Sequence, residues 1–171
     1  SEMCIRDSNY TDLEKIVNDE SLPVKILQMN VGKQETIDSA VATIMQEKGR
    51  IDVLVNNAGM GGGGDVESTD IELWDLVHKV NLDSVFLGCK FAIPLMRDSG
   101  NGSIINISSM SGIVASHNTS AYNSSKAAVR HLSKSIALHC AKSTNLVRCN
   151  SLHPVFTRTA MVQSMIDAAP E

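Results

Sequence analysis

A phenol and an ammonium, Tyr122 and Lys126, stand four residues apart in a stretch, 108–128, that is dense in hydroxyls and amides. Positions four apart on a helix rise from one face, one turn apart, so the two groups would meet. A free tyrosine titrates near 10 and its phenolate is scarce at neutral pH; a fixed positive charge a few ångströms away favours the phenolate. Bringing a phenol to about 7 takes roughly 4 kcal/mol, more than one lysine in a partly wet site supplies, so a second cation would have to stand nearby. Such a pair offers acid/base exchange of a proton. The plain alternative is an exposed helix pair without chemistry. Ser109 lies thirteen positions before Tyr122, with Ser108 beside it.

The elements that must hold these groups follow from periodicity. Val129, Leu132, Ile136 and Cys140 recur at helical spacing and predict a helix from about 120 to 141. Upstream, an Asn101-Gly102 turn opens a short apolar run, 102–108, that reads as a buried strand, so Ser109 falls just past a strand end. A second buried strand is expected at 51–55, a third at 24–31 and a fourth at 146–152. Between them the pattern predicts a helix ending before Pro23, one carrying Ile37, Val41 and Ile44 that stops near Gly49, one with Leu73, Leu76 and Val77, and one over 82–96. Pro94 should bend or break the last of these, and another helix should begin at Thr157 and run to 169. The Gly61–Gly64 run invites a phosphate-loop reading, but no Gly-Lys-Ser/Thr follows it, so loop flexibility near a ligand is the expectation. Strands alternating with helices argue an α/β fold, a doubly wound parallel sheet covered on both faces.

Composition narrows the function classes. The 171 residues allow one domain, and 43% hydrophobic content suffices for a core. A net charge of −4 carries no basic footprint for nucleic acid or an anionic membrane. No apolar run approaches the length of a membrane span, and no charged-then-apolar leader is present. The four cysteines, Cys4, Cys89, Cys140 and Cys149, show no metal-ligand spacing and read as buried thiols in a reducing compartment; His131 and His139 read as surface or interface residues. A soluble, cytoplasmic chain without a metal site is expected.

Four motifs stand in order along the chain: Asn56-Asn57-Ala58-Gly59 after a strand, Asn81 within Lys79-Val-Asn-Leu-Asp83, Ser109 before Tyr122-x-x-x-Lys126, and Asn150-Ser-Leu-His-Pro154 after another strand. Each is weak alone. Together they resemble the short-chain dehydrogenase/reductase family, over roughly residues 24–161. The resemblance implies a Rossmann-like domain and an oxidoreductase that uses NAD or NADP to move a hydride to or from a secondary alcohol or ketone. It implies Tyr122 as acid/base and Lys126 as the residue that binds the nicotinamide ribose and favours the phenolate. An oxidised nicotinamide ring would be the second cation. Ser109 would bind the substrate oxygen, and Asn81 would hold a water in a proton relay. It implies further cofactor contacts at Asn30, Val31, Asn57, Ala58, Gly59, Pro154, Val155, Thr157 and Thr159.

The chain also departs from the family's pattern. Asn30 replaces an acidic residue, and Val155 replaces a glycine that permits close approach and positive φ. The glycine-rich pyrophosphate turn, expected before residue 24, is absent, and the last strand is not reached. A fragment cut at both ends is the expectation, with residues 1–8 a non-native leader and 9–171 a partial NAD(P)-binding domain. The strand at 24–31 would then lose its neighbour and the strand at 51–55 would bare an apolar edge, leaving the chain prone to aggregate. An inactive binding or structural remnant is the alternative to an enzyme. Helices 82–96 and 120–141 carry more apolar positions than one buried stripe needs, among them Phe86 and Ala128. The resemblance implies that they pair with their copies in a homodimer or homotetramer.

Overall fold

The structure, a computed structural model, describes residues 2–5, 11–31, 33–143 and 146–157. It divides into two compact units, residues 1–50 and 51–171. In the first, β1 (Glu2–Ile5) pairs in parallel with β2 (Lys25–Gln28), and α1 (Thr11–Asp19) and α2 (Gln34–Lys48) follow one strand each. α2 stops where predicted: Gly49 takes a left-handed φ of 70° and returns its N–H to Met45 O, the conformation a helix end reserves for glycine. An exposed ion pair joins Lys25 to Glu47 of α2.

One expectation fails in this unit: β2 does not lack a neighbour, because Glu2–Ile5 supply it, with Met3 opposite Ile26 and Cys4 opposite Leu27. A parallel ladder is made by backbone N–H and C=O groups, so a four-residue extended segment can join it without any side-chain period to announce it.

The second unit holds a three-stranded parallel sheet ordered β3 (Val53–Asn56), β4 (Gly102–Ile107), β5 (Val147–Leu152). The register sets Asn56 beside Asn106 and Ile107 beside Leu152, so the three strands end together. Between β3 and β4 run α3 (Ile71–His78), a wide π-helical turn (Lys79–Asp83) and α4 (Ser84–Asp98). A short 3₁₀ turn (Met110–Gly112) and α5 (Ser120–Ser143) separate β4 from β5. Each parallel step thus crosses over through a helix, as it must.

The core forms where α4 and α5 cover one face of the sheet. Val85, Cys89, Ile93 and Met96 of α4 meet Ile104 of β4, Val129, Ile136 and Cys140 of α5, and Val147 and Cys149 of β5. Cys89, Cys140 and Cys149 are buried thiols outside any disulfide, as the sequence suggested. α4 is not broken at Pro94; it continues to Asp98. A proline this close to the end forfeits only its own bond to the Lys90 carbonyl. The bare edge expected beside 51–55 is present in part: Val53 and Val55 of β3 are 56% and 51% exposed. Among the described residues no helix is long and apolar enough to cross a membrane.

Candidate functional site

Tyr122, Lys126 and Asn81 come together where α5 passes the loop that follows β3. α5 begins at Ser120, so Tyr122 and Lys126 are successive rungs of one helix face, and the Lys126 Nζ lies 5.8 Å from the centre of the Tyr122 ring. Lys126 is only 4% exposed. Its Nζ donates to Ile107 O, the last carbonyl of β4, at 2.9 Å. Burial lowers its pKa to about 8, because the surrounding protein replaces water that would have stabilised the charge.

The loop after β3 reaches this ammonium through Gly59. A Cβ there would stand 3.3 Å from Lys126 Nζ and 3.4 Å from Asn81 Oδ1, so the backbone comes as close as it does because the residue has no side chain. The neighbouring Met60 is held at both polar ends by one amide: its N–H donates to Asn81 Oδ1 at 2.8 Å, and its carbonyl accepts from Asn81 Nδ2 at 3.0 Å. Asn81 Nδ2 also donates to Ser125 Oγ of α5 at 3.1 Å. Asn81 is fully buried and lies within the wide turn Lys79–Asp83. Such i→i+5 turns occur in helices mostly where a functional geometry needs them. Sequence periodicity placed a boundary between two helices here; the chain instead stays helical from Ile71 to Asp98 through the widened turn.

Ser108 and Ser109 separate cleanly. Ser108 is buried and donates its hydroxyl to the Lys126 carbonyl at 2.8 Å, which ties β4 to α5. Gly112 fits against this junction because a Cβ there would come within 2.7 Å of Lys126 O. Ser109 begins the 3₁₀ turn in extended conformation, half-buried, and its Oγ accepts from Ser111 N at 3.1 Å. That bond leaves the hydroxyl hydrogen to be directed outward. Of the two serines, Ser108 is a structural tie, while among the described bonds Ser109 Oγ only accepts.

The remaining sequence-derived positions divide between the units. Asn30 and Val31 belong to the first, just past β2, where the Asn30 carbonyl accepts from Thr36 Oγ1 at 2.8 Å and from Lys33 N at 2.9 Å. Asn57, Ala58 and Gly59 form the loop described above. Asn56 turns inward instead, donating to Asn106 Oδ1 at 2.8 Å. Pro154 accepts from Met110 N at 3.0 Å, which seats the chain after β5 beside the Ser109 turn. Val155 is exposed without a positive φ; the freedom a glycine would bring is not used, so a branched side chain stands there without strain. Thr157 is exposed. Thr159, and the helix predicted over 157–169, lie outside the described residues beyond Thr157.

Two features were not read from sequence. The Gly61–Gly64 run is pinned at its end: Gly64 N donates to Asn118 O at 2.8 Å and Gly64 O accepts from Ser120 N at 3.1 Å, which anchors this loop to the start of α5. His153, seen in sequence only as part of a run, bridges Ser151 and Ser109. His131 and His139 are exposed, as expected.

The model of the family described as short chain dehydrogenase matches residues 3–169. The 2-(R)-hydroxypropyl-CoM dehydrogenase of Xanthobacter autotrophicus is 40% identical over 148 residues, which cover 84% of this chain and 58% of that protein. Among solved structures, a short-chain dehydrogenase/reductase from Burkholderia xenovorans superposes with a TM-score of 0.91 at 29% identity, covering 98% of this chain and 64% of that one. A gluconate 5-dehydrogenase from Burkholderia cenocepacia, in complex with NADP and tartrate, superposes with a TM-score of 0.85 at 27% identity, covering 98% and 66%. The chain thus spans little more than half the length of the first of these relatives.

Proposed function

This chain belongs to the short-chain dehydrogenase family, and from that premise we propose that the protein carrying it is an NAD- or NADP-dependent oxidoreductase acting on a secondary alcohol or ketone. The observation that carries the reading is the junction of Tyr122, buried Lys126 and Gly59, with no side chain between the loop backbone and the ammonium. When bound, a nicotinamide cofactor supplies the hydride acceptor or donor that none of these side chains can replace.

The residues present fit such a group. Lys126 has three hydrogens and gives one to Ile107 O; a ribose diol beside Gly59 would meet the others. Asn57, Ala58 and Gly59 form the adjoining wall, and Pro154, Val155 and Thr157 follow β5 at the same end of the sheet. Asn30 and Val31 are proposed for the adenine side and Thr159 for the nicotinamide side, on the family pattern alone.

Tyr122 is the proton carrier: in oxidation its phenolate oxygen takes the hydroxyl proton of the alcohol, and in reduction its hydroxyl gives the proton to the carbonyl oxygen. Ser109 directs its hydroxyl hydrogen to that same oxygen and orients it. Asn81 uses both amide hydrogens on Met60 O and Ser125 Oγ. A relay water at this residue would therefore be held by acceptors, namely the second lone pair of Oδ1 or the main-chain carbonyl. The exposed residues that follow the Ser109 turn and Pro154, namely Ile113, Val114, Val155 and Phe156, are apolar. This favours an uncharged alcohol or ketone with an apolar body.

We also propose a homodimer or homotetramer formed through α4 and α5, where Phe86 and Leu138 are large apolar side chains facing outward. The function is tested by following the absorbance of the reduced cofactor with cyclohexanol and NAD or NADP. Turnover with one cofactor is expected. Its absence with both, over a panel of secondary alcohols and ketones, would overturn the reading.

A further inference from the structure

The peptide group that links Ser109 to Met110 is held on both sides by the segment that follows β5. Its carbonyl, Ser109 O, receives His153 Nδ1 at 3.1 Å as well as Gly112 N at 3.0 Å. Its N–H, on Met110, donates to Pro154 O at 3.0 Å. One residue earlier, Ser108 N donates to Leu152 O at 2.8 Å, the last rung of the β4–β5 ladder. Backbone pairing thus continues past the strands for two residues, and one side chain, His153, crosses with it.

The acceptor determines the ring's tautomer. A carbonyl oxygen only accepts, so Nδ1 carries hydrogen toward Ser109 O. Nε2, 2.9 Å from Ser151 Oγ, then receives the Ser151 hydroxyl in the neutral ring. With both nitrogens engaged, the imidazole plane is fixed, and with it the direction from which the Ser109 carbonyl is gripped. Fixing that peptide plane fixes ψ of Ser109 and hence the origin of its Cβ–Oγ bond.

We propose that His153 is a positioning residue for Ser109, clamping the Ser109–Met110 peptide so that the Ser109 hydroxyl meets the substrate oxygen. It touches neither substrate nor cofactor and acts through Ser109. The inference rests on the oxidoreductase reading for its effect on rate, and on geometry alone for its effect on Ser109.

Three variants of the protein carrying this chain test it. His153→Leu keeps bulk and removes both hydrogen bonds. His153→Asn returns an N–H near the place of Nδ1, and His153→Gln returns a polar group only near the place of Nε2. Two readouts are taken: kcat and KM for cyclohexanol, and the NMR shift and hydrogen exchange of the Ser111 amide, which donates to Ser109 Oγ. For His153→Leu, kcat falls about 10- to 100-fold, as for a modest misplacement of an orienting group. The KM for the cofactor stays unchanged, and the Ser111 amide shifts and exchanges faster. His153→Asn recovers both readouts and His153→Gln recovers neither. An unchanged kcat and Ser111 amide in His153→Leu, or equal rescue by Gln and Asn, would overturn the proposal. Were the wild type to lack turnover, the oxidoreductase reading would fall, while the Ser111 amide would still decide whether His153 holds Ser109.

Discussion

Two asparagines in this molecule, Asn81 and Asn106, are both fully buried, and the clusters around them differ in whether every partner is part of the fold. Asn106 sits mid-core on β4. Its Oδ1 accepts from Asn56 Nδ2 at 2.8 Å and from Cys89 Sγ at 3.7 Å; its Nδ2 donates to Ser133 Oγ at 3.0 Å and to Cys149 Sγ at 3.4 Å. A hydrogen bond shared between the two thiols pushes Cys149 up and holds Cys89 below the ordinary thiol range. Strands, α4 and α5 all contribute, and the polar groups close on one another. Around Asn81 the amide itself is satisfied by Met60 and Ser125, but the adjoining Lys126 brings a charge into a place where burial disfavours it. A buried charge that the surrounding protein destabilises is common where a ligand completes the site. The closed cluster serves the fold, and the open one is where the proposed chemistry would take place.

That contrast is sharpest if the two clusters answer in different currencies of measurement. Tyr122→Phe, beside the open cluster, removes the phenolic oxygen and keeps the ring. Turnover should fall by about 10²- to 10⁴-fold, with cofactor affinity by fluorescence titration nearly unchanged. Retention of more than about a tenth of the wild-type kcat would remove Tyr122 from the acid/base role, since that lies well outside the range for a lost proton carrier. Lys126→Ala should weaken both rate and cofactor affinity.

Asn106→Leu probes the closed cluster. It removes one partner each from the Asn56 amide and the Ser133 hydroxyl, which keep Cys89 Sγ and the Val129 carbonyl, at a cost of about 1–3 kcal/mol in urea unfolding. The rate per folded molecule should hold. A selective loss of kcat without a loss of stability would collapse the distinction between the two clusters.

Lys126→Met gives a smaller effect with a defined sign. The folded pKa, about 8, lies below the unfolded value of 10.5. Between those values the unfolded chain binds the extra proton, so wild-type stability of the cofactor-free protein rises with pH across that window. The full rise is about 3 kcal/mol. Lys126→Met should therefore be more stable than wild type at pH 7 and lose most of that advantage by pH 10, measured by thermal melts at both values. An advantage independent of pH would mean that burial does not disfavour the ammonium. Phe86→Glu lies outside both clusters and should leave the apparent rate nearly unaltered. It should lower the solution mass by light scattering, as a charge placed in an apolar contact between copies would.

The residues of the candidate site could be placed because each stands at a definite position on a periodic element. Tyr122 and Lys126 share a face of a helix that Val129, Leu132 and Ile136 make unmistakable. Ser109 could be placed one residue past a strand whose apolar run has clear ends. Asn106 was not legible. One amide inside an apolar strand looks the same whether it faces solvent or the core, and its partners Asn56, Cys89, Ser133 and Cys149 come from four separate segments. The pairing of Glu2–Ile5 with β2 left no trace in side-chain pattern, since it depends on backbone groups. His153 stood in plain view, yet its role depends on the register of β4 against β5, which sets Ile107 beside Leu152. Sequence periodicity does not report that register.

The wide turn at Lys79–Asp83 makes this helical stretch sensitive to its length as well as to its composition. A π turn takes up more residues than an α turn for nearly the same advance. Deleting one residue from it, for instance Leu82, would let the stretch relax to an ordinary α-helix. The residues on either side would keep nearly their faces, because the π turn already absorbs the extra residue, but those inside the turn would be redirected. Asn81 would swing off Met60, although it would still be present and still be asparagine. A scan of substitutions would find one sensitive position here, and a scan of single-residue deletions would find the whole turn.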